Sequence, residues 1–160
     1  MFKTTLFGDK GQGPGTIWAD NGFGTRYETK LAFNGTNFAL YTGVRKNFAS
    51  TAGENDVHEG DMFMLLDQSG KVLEDKTQMW YSSHAFYQKL AVNSQSEFIT
   101  ANLGDAYPVG ILVRNRQQNT TQNVWPPEKV TYQSGKTWYF AAGRLGEMLT
   151  KDGNVYLLHA

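Results

Sequence analysis

At 160 residues the chain is long enough for one domain with a buried core, and the absence of cysteine excludes both a disulfide framework and a thiolate zinc site. Its 15 Lys and Arg balance 15 Asp and Glu, and the basic residues are dispersed, so an electropositive face for nucleic acid is not expected. Aromatic residues at 14%, 17 glycines and no sustained apolar spacing of helical period specify an all-β chain of strands and tight turns.

From the start, "TTLFGDKG" (4–11) reads as a strand followed by a glycine turn. The first residues hold no apolar run suited to a signal peptide, and no later stretch reaches the roughly 18 apolar residues of a membrane span. "GDKGQGPG" (8–15) has the glycines of a phosphate loop but no following Lys-Ser/Thr and no helix pattern, so it is a turn. A strand bearing Trp18 comes next. Then "TRYETKLAFNGTNFALYTG" (25–43) gives the strongest short hairpin signal, Asn-Gly between alternating apolar residues.

The same order returns twice. "MFMLLDQSG" (62–70) is a strand with a glycine turn, Trp80 marks the next strand, and "HAFYQKLAVNSQSEFITAN" (84–102) is the second hairpin. "KVTYQSG" (129–135), Trp138 and "AGRLGEMLTKDGNVYLLHA" (142–160) form the third set. Leu31, Leu90 and Leu149 are spaced by 59 residues, as are Asn34, Asn93 and Asp152. This pattern predicts three four-stranded units of about 59 residues, approximately 1–59, 60–118 and 119–160. Long polar loops are expected at 43–60 and 115–128, between units, where binding sites often sit. Three such units fit propeller blades, a half-propeller completed by a second chain or a further segment, and they also fit a β-trefoil closed within one chain.

Candidate site residues divide into two groups. His58, Asp61, His84 and Asp105 offer nitrogen and oxygen ligands for a calcium or zinc ion, and they have no counterparts in units one and three. There is no HExxH or EF-hand spacing, and turn hydrogen bonding around Gly60 is the competing account of Glu59 and Asp61. Ser82, Ser83 and His84 are contiguous but lack a nucleophile elbow, and the acids fix no pair for glycoside hydrolysis. The second group is aromatic and polar: Trp125, before Pro126-Pro127 in a polar stretch, with Tyr81, Tyr107, Arg114 and Asn123, suits stacking on sugar rings and binding of hydroxyls. The repeated Trp18, Trp80 and Trp138 suit packing between strands.

"HEGDMFMLLDQSG" (58–70), "SSHAFYQKL" (82–90) and "LGDAYPVGI" (103–111), in that order and spacing, resemble bacterial secreted or lipoprotein β-propeller-like repeat proteins. The resemblance covers about a third of the chain and departs from that pattern at Ala85, where a serine is expected. It implies the fold and an extracytoplasmic location, and it transfers no active site. The expected function is non-catalytic binding of a carbohydrate or cell-surface glycan, with repeated shallow sites acting by avidity. A structural module completing a ring with another chain, or as a homo-oligomer, is the alternative, and a glycoside hydrolase is the third reading.

Overall fold

The computed structural model describes residues 28–47, 57–73, 78–80, 85–104, 110–125, 128–131, 134–135, 137–140 and 144–160. All regular structure among these is β. Strands β1 (Thr29–Phe33), β2 (Phe38–Asn47), β3 (Val57–Leu66) and β4 (Gln78–Trp80) form one antiparallel sheet in chain order. A second sheet takes β5 (Ala85–Val92), β6 (Phe98–Gly104), β7 (Gly110–Asn115) and β8 (Thr120–Trp125), again antiparallel and in order. Two separate hairpins follow, β9 (Glu128–Thr131) with β10 (Thr137–Phe140), and β11 (Leu145–Lys151) with β12 (Asn154–His159). None of these sheets closes into a barrel among the described residues.

The three hairpins expected around Asn34, Asn93 and Asp152 are β1–β2, β5–β6 and β11–β12. Side-chain oxygens shape the first two turns. Asn34 Oδ1 accepts the amides of Thr36 and Asn37 at 3.0 and 2.8 Å, and Asn93 Oδ1 accepts those of Gln95 and Glu97 at 3.0 and 2.8 Å. The third is a two-residue Asp152-Gly153 turn with φ of 53° and 77°, the geometry that matches strand twist. Loop length differs among them, so Leu31, Leu90 and Leu149 face Leu40, Thr100 and Tyr156, which are not equally spaced. The register irregularities, between Phe86 and Lys89 and between Leu145 and Met148, again lie 59 residues apart.

Two expectations are corrected. No turn forms around Gly60: β3 runs unbroken from Val57 to Leu66 and pairs with β2 from Asn47↔Val57 to Phe38↔Leu66. The apolar run Met62–Leu66 fixes that register, and the ladder then extends outward through Glu59 and His58. The loop expected at 43–60 is strand at 43–47 and 57–60, its residues 48–56 lying outside the described ones, and the loop expected at 115–128 is mostly strand among its described residues. Thr120–Trp125, rich in β-branched residues, pairs with β7 as β8. Both four-stranded sheets consequently cut across the predicted units: each joins a Leu-bearing hairpin to the strand pair that follows it.

From 61 to 66, alternation buries β3 on both faces. Phe63 and Leu65 pack with Ala39, Tyr41 and Phe98, the Phe63 and Phe98 ring centroids 5.8 Å apart. Met62, Met64 and Leu66 pack on the other side with Phe38, Leu40 and Val72. In the second sheet, Phe98, Thr100 and Asn102 alternate with Ile99, Ala101 and Leu103 along a β6 strand that is buried throughout. The first set faces the β1–β4 sheet. The second faces the terminal hairpin, where Leu103 and Ile111 pack against Leu145. The second sheet is thus a middle layer, and its two faces carry different chemistry.

Candidate functional site

The hairpin β11–β12 meets the middle sheet along β11, through Leu145 at one end and a Thr150 hydrogen bond to the Val92 carbonyl at the other. Between them lies a cleft of about 710 Å³. Ile99 of β6, Val113 of β7, Val124 of β8, and Val155 and Leu157 of β12 supply its apolar surface. Thr120 and Gln122, exposed on β8, project along one side because they alternate with Thr121 and Asn123. Turn residues Asn93, Gln95, Asn115 and Gln118 rim it, with Gly153 and Asn154 opposite.

Glu97 organises that rim. Its Oε2 accepts hydrogen bonds from Asn93 Nδ2 and Asn115 Nδ2, both at 2.8 Å, and Gln118 Nε2 donates to both carboxylate oxygens at 3.0 and 3.2 Å. The β5–β6 and β7–β8 turns are thereby tied to one carboxylate. Asn115 Oδ1 at the same time accepts the amides of Gln117 and Gln118, so the donors are themselves fixed. Hydrogen bonds from Asn93, Gln118 and Asn115 hold the Glu97 carboxyl below its ordinary value, outweighing a small effect of burial. It is ionised at neutral pH.

The opposite face of the same sheet holds a closed ionic cluster. Tyr41 Oη donates its proton to Asp61 Oδ2 and lies 3.2 Å from Asn102 Oδ1. Arg114 Nη1 donates to Asp61 Oδ2 at 3.1 Å and to Asn102 Oδ1 at 3.0 Å. The Arg116 guanidinium stands 3.7 Å from Asp61 and 5.3 Å from the ring centroids of both Tyr41 and Phe63. Burial, then the Asp61 charge, pushes the Tyr41 phenol well above its ordinary value, and burial brings Arg116 down to about 10. Tyr41, Asp61 and Asn102 are all fully buried. This cluster joins the two sheets through Tyr41 and Asp61 on one side and Asn102 and the arginines on the other.

Among the sequence candidates, the structure brings Asp61 and Arg114 together, in this buried junction and away from the cleft. Asn123 is exposed on β8 opposite Leu112, and Trp125 ends that strand opposite Ile111. His58 lies in β3 opposite Lys46. Tyr81, His84, Asp105 and Tyr107 fall outside the described residues. No group of three or more His, Asp or Glu side chains suited to a metal ion converges among the described residues. Sequence reasoning missed Glu97, Thr120 and Gln122; the available signal was the alternation Thr-x-Gln-x-Val next to a turn rich in Asn and Gln.

No family model, curated protein or solved structure matches the chain. Among the described residues, no helix is long and apolar enough to cross a membrane.

Proposed function

We propose that the cleft between β5–β8 and the terminal hairpin binds a carbohydrate and leaves it chemically unchanged. The observation that carries this reading is the lining: amide and hydroxyl side chains of Asn, Gln and Thr along an apolar floor of Ile99, Val113 and Val124. Such groups match vicinal hydroxyls as paired donors and acceptors, while aliphatic floor residues accept the C–H faces of a sugar ring. A hydrolase needs two carboxylates, one of them kept protonated. Among the described residues lining the cleft, Glu97 is the only acid, and its hydrogen bonds keep it ionised. A glycan array followed by calorimetric titration tests the reading. Gln122→Ala and Thr120→Ala should each weaken a positive hit about two- to tenfold, the range of one net hydrogen bond. An array without a single hit would overturn it.

The second reading, an assembly module, is favoured by a different observation. Leu149, Tyr156 and Leu158 on the terminal hairpin and Leu31 and Phe33 on β1 are exposed, at 67% for Leu31 and 65% for Leu158. On this reading the two consecutive four-stranded meanders are propeller blades, and a second chain or further segment completes the ring. Solution mass by light scattering tests completion by a second chain: a dimer supports it, and a monomer removes it. An extracytoplasmic location accords with glycan binding at a cell surface and rests on the resemblance alone. A calcium or zinc ion at His58, Asp61, His84 and Asp105 remains a weaker proposal, since Asp61 is already engaged by Arg114 and Tyr41.

A further inference from the structure

The cleft has an electrostatic asymmetry that the carbohydrate reading does not require. Among the described residues lining it, Glu97 alone carries a charge. Its hydrogen-bond donors are three neutral amides, and among the described residues no Lys, Arg or His forms an ion pair with it. Amide dipoles keep the carboxylate ionised and fixed, yet they bring it no compensating cation among the described residues. Elsewhere in the fold, the carboxylates of Glu28 and Asp61 meet ammonium or guanidinium groups at 2.7–3.1 Å. Glu97 has no such partner among the described residues, and it sits on the rim of the cleft.

We infer that the cleft selects saccharides bearing a protonated amine beside hydroxyl groups, and repels acidic ones, through the field of Glu97. This rests on the carbohydrate reading and adds the charge class of its ligand. Three features favour such a ligand. The carboxylate is immobilised by its three donors, so no side-chain ordering is lost when a cation arrives. Among the described residues Oε1 accepts only the shared Gln118 donor, so it keeps acceptor capacity for an ammonium group. Thr120 and Gln122 stand along the same cleft, so hydroxyl groups beside the amine can be bound together with it. An ion pair open to solvent is weak, which sets the expected preference at no more than about fivefold.

Calorimetric titration with three probes of equal length tests this: a glucosamine tetramer, its fully N-acetylated counterpart and an oligogalacturonate. The expected order of affinity is glucosamine above N-acetylglucosamine by about two- to fivefold, with oligogalacturonate weakest, and the gaps should shrink as salt rises. Glu97→Gln removes the charge and retains a carbonyl acceptor for the turn amides, so it should equalise the first two probes. Should that variant fail to fold, the salt dependence of the unaltered protein decides. Equal affinity for amine and acetamide, or tighter binding of the acidic oligomer, overturns the charge selection and leaves the carbohydrate reading standing. Silence from all three probes overturns the amine selection, and the glycan array decides the carbohydrate reading.

Discussion

Asp61 is the residue on which the junction between the sheets turns. One of its oxygens accepts from Tyr41 and Arg114 and lies near Arg116, in a position closed to solvent. A buried ion pair is an uncertain net gain for a fold, because desolvation offsets most of the attraction. Breaking one is different, since the surviving charge stays buried without compensation. Asp61→Asn should therefore cost about 3–5 kcal/mol in chemical denaturation, with Arg114 and Arg116 losing their shared anion. Tyr41→Phe removes one donor and keeps the ring packed on Phe63 and Phe98, so about 1–3 kcal/mol is expected. A smaller effect for Asp61→Asn than for Tyr41→Phe would show that the cluster is held by its hydroxyl and not by its charges. The same geometry explains why Asp61 reads in sequence as a candidate metal ligand. An acid beside a histidine is a fair signal for an ion, and nothing local reveals that two arginines more than 50 residues away will neutralise it.

At the scale of the element, the hairpins were legible because their turn chemistry is local. Asn34-Gly35 and Asp152-Gly153 name their turns, and the side-chain caps of Asn34 and Asn93 act within a few residues of themselves. Asp152 and Gly153 both adopt positive φ, and a Cβ added at Gly153 meets nothing within 4 Å. The penalty of Gly153→Ala is thus conformational alone, about 1–2 kcal/mol, and a thermal melt should show it without any packing defect. Full stability in that variant would mean the turn had changed type. Strand extent was far less legible. Polar stretches such as Val44–Asn47 with Val57–Gly60 become strand because an anchored ladder propagates into them, and no residue among them signals it. Thr120–Trp125 has strand-forming residues, but the Asn and Gln around it and the prolines after it read as loop. The cleft was hidden for the same reason. Its residues come from β6, β7, β8 and β12, and only the stacking of layers brings them together.

For the whole molecule, the layers differ in how firmly they are held. The two four-stranded sheets share the Phe63–Phe98 contact, the Asp61 cluster and a clamp in which Lys89, nearly buried, reaches Glu28 at 2.7 Å while Gln88 accepts the Glu28 amide. The terminal hairpin is attached by less. Leu145 is its one fully buried side chain, Leu157 packs beside it, and Thr150 Oγ1 donates to the Val92 carbonyl at 2.6 Å. Regions with few buried contacts open locally at lower free energy than the core. Hydrogen exchange should accordingly find the amides of β12 exchanging well before those of β3, β6 and β7. Leu145→Ala removes the main anchor, a loss of about 2–5 kcal/mol for a buried leucine. Exchange in β11 and β12 should then accelerate while protection in β3 and β6 persists, and any glycan binding should fall with the cleft wall. A uniform loss of protection would place the hairpin inside the cooperative core. Because the hairpin forms one side of the cleft, its low local stability is also what lets that side yield to a ligand, and a ligand bridging both walls should in turn slow β12 exchange.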